Sequence, residues 1–155
     1  MEKSVNKLIL FLGLLAVSGC TTIAIPSYIK SENPYKKTFY TDFARTLDAV
    51  TNALTDTGWV VTEKTDPNFF EQNRSASAAD VKQVLIFTDI RQMGMFLGSH
   101  YARVNVYLKM LSDDETEVEI RYLSVNSMFL KSFYNYKHNK SVENLFNKIQ
   151  EHLNS

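Results

Sequence analysis

Apolar residues recur along this chain with two different periods. Phe39, Phe43, Leu47, Val50 and Leu54 are spaced by four, four, three and four, which is one stripe of an α-helix, and Ala44, Ala49 and Ala53 widen it. Thr38 or Thr41 can cap the start of this helix, Asp42 falls in its first turn, and Gly58 offers a left-handed stop. A second stripe, Val142, Leu145, Phe146, Ile149 and Leu153, predicts a final helix capped by Asn139 or Ser141.

Between the helices the period falls to two. Trp59 to Lys64 reads as a strand rich in β-formers, and Asp66-Pro67-Asn68 as a turn. A weak strand is expected from Phe69 to Arg74, then a small, polar loop over 75–80. Val81 to Arg91 reads as one longer strand, with Val84, Ile86, Thr88 and Ile90 on one face. The clearest alternation sets Ala102, Val104, Val106, Leu108 and Met110 against Tyr101, Arg103, Asn105, Tyr107 and Lys109, one face in the core and the other wet. Ser112 to Thr116 is a polar turn, and the partner strand runs from Glu117 to Val125 with Val118, Ile120 and Tyr122 inward. Pairing Met110 with Val118 puts Lys109 opposite Glu119 and Tyr107 opposite Arg121. These elements predict an α+β fold: a two-layer sandwich, its antiparallel sheet of four to five strands flanked by an N-terminal and a C-terminal amphipathic helix.

Composition narrows the class. The chain has 155 residues, 45% hydrophobic and 22% charged, which suits one globular domain and excludes a disordered or collagen-like chain. Lys plus Arg and Asp plus Glu each number 17, so nothing offers the broad basic surface that nucleic-acid binding relies on. One cysteine, Cys20, excludes an internal disulfide and any multi-cysteine metal site.

That cysteine closes a distinctive start. Lys3 and Lys7 form a positive region, an apolar run follows from Leu8 to Val17, and Ser18 and Gly19 precede Cys20. The run is about half the roughly 20 residues that cross a bilayer as a helix, and matches a signal-peptide core. Val17-Ser18-Gly19-Cys20 resembles the lipobox of bacterial lipoproteins: an aliphatic residue, two small residues and the obligatory cysteine. The resemblance implies cleavage between Gly19 and Cys20, with the Cys20 thiol and the new amine acylated and the chain held to a lipid bilayer. Thr21 stands where an aspartate would resemble an inner-membrane retention signal, which implies the periplasmic face of the outer membrane. Residues 1–19 are then a lipoprotein signal peptide, 20–37 a lipidated tether containing Pro26 and Pro34, and 38–155 a single periplasmic domain. Ile23, Ile25, Tyr28 and Ile29 leave open an edge strand packed on that domain. A lipobox, a short tether and a helix–sheet–helix domain together resemble small outer-membrane lipoproteins, including the helix-grip domains of one lipoprotein subunit of the β-barrel assembly machinery.

Catalytic signatures are missing from the sequence. His100, His138 and His152 have no metal-ligand spacing and read as solvated. There is no nucleophile elbow, no S-x-x-K and no phosphate-cradling glycine loop. Asp113-Asp114-Glu115 lacks calcium-loop spacing and reads as a charged hairpin tip. No enzyme, cofactor or metal is expected. The unusual feature is apolar residues where connections should be: Met93, Met95, Phe96 and Leu97 between two strands, and Phe129, Phe133 and Tyr134 before the last helix. Exposed, such residues mark contact surfaces; folded back, they cover the sheet. The sequence therefore points to a lipid-anchored module that binds a protein partner in the cell envelope. The alternative is a carrier or sensor of apolar small molecules or lipids.

Overall fold

The first helix begins one turn later than its stripe suggests. Asp42 is the N-cap, its carboxylate accepting from the Arg45 N–H at 2.9 Å, and α1 runs Phe43–Asp56. It ends in a Schellman arrangement: Trp59 N–H donates to the Leu54 carbonyl and Gly58 N–H to that of Thr55, with Gly58 at φ +83°. The computed structural model describes residues 35–65, 82–95, 99–128, 131–135 and 139–155. Within them the chain order is β1 (Tyr35–Phe39), α1, β2 (Val61–Lys64), β3 (Gln83–Thr88), β4 (Arg91–Met95), β5 (Ser99–Ser112), β6 (Glu115–Met128), β7 (Lys131–Asn135) and α2 (Asn139–Asn154).

The fold is α+β, with both helices on one face of an open antiparallel sheet of seven strands, larger than the four to five the sequence predicts. The path is β1-β6-β5-β3-β2, with β4 also on β5 and β7 also on β6. Three differences account for the extra strands. Tyr35, Lys36 and Lys37, expected in the tether, pair with β6 as an edge strand that includes Phe39. The stretch expected as one strand over 81–91 breaks after Thr88, and Arg91–Met95 forms a second piece on the same side of β5. Lys131–Asn135, expected as an apolar connection, pairs with β6 as β7. The weak strand expected over 69–74 lies outside the described residues.

Both stripes and the inner sheet face meet in one core. Val50, Ala53, Leu54, Val142, Leu145 and Ile149 pack on Val104, Val106, Leu108, Val118, Ile120 and Tyr122, all buried. Each such aliphatic side chain contributes about 1.5–3 kcal/mol when fully withdrawn from water. Arg45 donates to the Leu153 carbonyl at 2.8 Å, so α1 supplies the C-terminal cap of α2.

The β5–β6 hairpin is longer and tighter than expected. The turn is only Asp113-Asp114, and Leu108 stands opposite Val118, Tyr107 opposite Glu119 and Lys109 opposite Glu117. This differs by two residues from the predicted register, so each face keeps its residues while each pairing changes.

Each 14-residue strand of the hairpin exchanges neighbours midway. Along β6, β1 pairs as far as Ile120 and β7 takes over at Ser124. Along β5, β3 pairs from Asn105 to Lys109 and β4 from Ser99 to Ala102. Thr88 splices the second gap: its buried hydroxyl donates to the Val104 carbonyl at 2.7 Å and accepts from the Val104 N–H at 3.2 Å.

Candidate interaction surface

The sheet thus has a helix-covered five-stranded part and a four-stranded end built from β4, β5, β6 and β7. Of the residues proposed from sequence, this end contains Met93 and Met95 in β4, and Phe133 and Tyr134 in β7. Phe96, Leu97 and Phe129 lie outside the described residues, as do Gly19 and Cys20.

Register fixes which residues share a face. On the helix side, His100 stands opposite Asn126, and Asn126 opposite Phe133. On the other side a row crosses all four strands, Gln92–Tyr101–Val125–Tyr134. Phe133 and Tyr134 are 55% and 51% exposed, one on each face of an edge strand. Ile90, just ahead of β4 on the opposite edge, is 43% exposed. Exposed aromatic side chains of this size are the usual anchors of contact surfaces.

The face away from the helices is not simply wet. Leu123 and Val125 are fully buried there with Tyr101 against them, and Asn105 and Glu119 are buried beside them. Glu119 carries a charge network: Arg121 donates to one carboxylate oxygen and the Lys36 ammonium lies 3.2 Å from the other. Accepting that bond, Glu119 holds the Lys36 ammonium above the ordinary lysine range, with Glu117 adding to the effect at 3.4 Å. Tyr107 donates to the Gln83 side-chain oxygen at 2.6 Å. Sequence alternation could not reveal this network, because its members look like ordinary solvent-face residues.

A second unpredicted cluster lies where α1 meets the four-stranded end. Arg91 covers the Trp59 ring and donates to the Thr57 carbonyl at 3.2 Å, and Trp59 meets Tyr122 edge-on with centroids 6.4 Å apart. Burial pushes the Tyr122 phenol above its ordinary value, an effect the Arg91 charge opposes. A Cβ at Gly58 would lie 3.1 Å from the Arg91 guanidinium, so glycine serves both the turn and this contact.

The histidines do not converge. His152 bonds Asp56 at 2.8 Å, tying α2 to α1. His100, expected to be solvated, instead buries its Nε2 with no hydrogen-bond partner among the described residues, and His138 lies outside them. Among the described residues no group of three or more His, Cys, Asp or Glu could hold a metal ion, and no helix is long and apolar enough to cross a membrane. No protein-family model matches this chain, and no curated protein matches it in sequence.

Proposed function

We propose that this chain is a bacterial lipoprotein: acylated at Cys20 after cleavage behind Gly19, held at the periplasmic face of the outer membrane, and applying the four-stranded end of its domain to a partner in the cell envelope. The N-terminal half of this reading comes from the resemblance of Val17-Ser18-Gly19-Cys20 to a lipobox. Two or more acyl chains give a stable anchor where one gives a marginal attachment. The half concerning the domain is carried by one observation: consecutive aromatic residues, Phe133 and Tyr134, stand more than half exposed on an edge strand. The domain acts by contact, and its polar clusters serve the sheet and the helix junction.

Radioactive palmitate labelling tests the anchor. The natural chain is expected to take up label and sediment with membranes, and the Cys20→Ser chain to do neither; label on the serine variant overturns the anchor. Crosslinking in intact envelopes tests the domain. Phe133→Asp combined with Tyr134→Asp should abolish adducts formed by the natural chain while leaving the thermal midpoint within a few degrees, since both side chains are largely in solvent. Unchanged adducts would remove this end from the reading.

A further inference from the structure

Acidic and basic residues, equal in number, are unequally placed along the sheet. No Asp or Glu occurs from Ile90 to Ser112 or from Ile120 to Val142, and these two stretches supply β4, β5, most of β6 and β7. Of their Lys and Arg residues, Arg91 in β4, Arg103 in β5 and Lys131 in β7 belong to the four-stranded end, whose part of each strand carries no acid, while Lys109 and Arg121 lie toward the acidic turn and Lys140 in α2. The acids gather at the opposite end: Asp113, Asp114, Glu115, Glu117 and Glu119 occupy the β5–β6 turn and the start of β6. A chain with no net charge is therefore electrically polar along its sheet, and the four-stranded end is the basic one.

The same end has an unusual arrangement of aromatic residues. Phe133 and Tyr134 point to opposite faces of β7, and both are exposed. A partner laid flat on one face of the sheet covers only one of them. A medium that surrounds the end covers both, and Ile90 at the other edge with them. Tyrosine and lysine are among the residues favoured at the boundary between lipid headgroups and acyl chains, and β7 holds one of each in its sequence, Lys131 and Tyr134.

We infer that the four-stranded end is itself a lipid-contacting surface, seated in the headgroup region of an anionic bilayer with the acidic β5–β6 turn directed away. This rests on the reading above that this end is the contact surface, and names its partner. Each Lys or Arg near an anionic surface raises partitioning about fivefold, and the acid-free stretches leave no opposing charge of their own. The lipid on Cys20 would bring the domain to the surface; this end would then set its orientation there.

The test uses tryptophan reporters in the full chain, Phe133→Trp, Tyr134→Trp and, as a control beside the acidic end, Tyr40→Trp; Tyr40 is 82% exposed. Each is mixed with vesicles of phosphatidylcholine and phosphatidylglycerol whose acyl chains carry bromine, a contact quencher of indole emission. The buried Trp59 supplies a constant background. The expected result is quenching of both β7 reporters and not of the Tyr40→Trp emission. Quenching should fall by about fivefold or more on vesicles of phosphatidylcholine alone, the loss of at least one such charge. Quenching of neither β7 reporter, or equal quenching at position 40, overturns the proposal. So does quenching of only one of the two β7 reporters, since a medium that surrounds the end reaches both faces and a flat contact reaches one. The Cys20→Ser chain separates the two readings. Its overall vesicle association reports the anchor, whereas quenching per bound molecule reports this surface and is expected to persist.

Discussion

The guanidinium carbon of Arg91 sits 5.0 Å from the centroid of the Trp59 ring while its Nη1 donates to the Thr57 carbonyl. One side chain from β4 thereby caps the C-terminal end of α1 and covers an aromatic ring that is itself buried in the core. The stacking contributes about 0.5–2 kcal/mol and the bond to a charged donor about 1.5–3. Arg91→Ala is expected to lower the unfolding free energy by about 2–3 kcal/mol in urea titrations. Arg91→Lys should recover less than half, because an ammonium cannot lie flat on the indole.

Burial of the second sheet face is open to an equally direct measurement. Leu123 is 1% exposed on the side away from the helices, whereas Leu111, at the bulge beside the β5–β6 turn, is 46% exposed. Leu123→Ala is expected to cost about 2–5 kcal/mol, as in a core, and Leu111→Ala less than about 0.5. A cost below 1 kcal/mol at Leu123 would mean that this face is wet after all.

The charge network should be asymmetric. Glu119 is buried and shared between Arg121 and Lys36, while the Lys36 side chain is half exposed. Glu119→Ala is expected to destabilise by about 3 kcal/mol, because it strips a buried network of its carboxylate. Lys36→Ala should cost under about 1 kcal/mol and become silent in high salt. A double-mutant cycle of these two positions reads the coupling directly.

Stability should fall on the alkaline side. Burial raises Tyr122, so above the ordinary tyrosine value near 10 the unfolded chain sheds this proton while the folded chain keeps it. The Glu119 bond raises Lys36 in the same sense: its charged form is favoured in the fold, and that contribution is lost as pH climbs above the ordinary lysine value. Both groups contribute fully at neutral pH and lose their contribution as pH rises through their folded values. The midpoint of thermal unfolding is expected to be flat up to about pH 9 and to drop beyond pH 10. Tyr122→Phe should flatten part of that drop and remove from the tyrosinate absorbance a phenol that ionises above the ordinary tyrosine range.

Much of this fold is legible in the sequence, and the illegible parts have specific causes. Helical stripes at Phe43–Leu54 and Val142–Leu153 read directly, because a period near 3.6 sustained over three turns has no competing explanation. Sheet faces read equally well, since parity alone decides them. Register did not, because a two-residue slip preserves parity; only the length of the Asp113-Asp114 turn separates the alternatives. Phe39 fits the α1 stripe by spacing yet belongs to β1, reaching the same core from a strand. The break after Thr88 was invisible, because apolar alternation continues through Ile90 while the backbone does not. At the candidate surface, Phe133 and Tyr134 were found by composition, but the strand that sends them to opposite faces was not. Arg91 carries no local signal, since Thr57 lies 34 residues away; Glu119 has Arg121 two residues on, but its other partner, Lys36, lies 83 residues away.

Among the described residues only β5 and β6 continue from the helix-covered part of the sheet into the four-stranded end, while each flanking strand stops at the crossing. Residues 103–104 of β5 and 121–123 of β6 therefore form a narrow waist, braced on one side by the Thr88 hydroxyl. Force or torque arriving at the aromatic end travels inward through these two ribbons, whose Val104 and Tyr122 belong to the helix-covered core, and through Arg91 to the end of α1. The molecule is built as a handle and a blade, with a joint held by Thr88 within the sheet and by Arg91 against Trp59 and the end of α1.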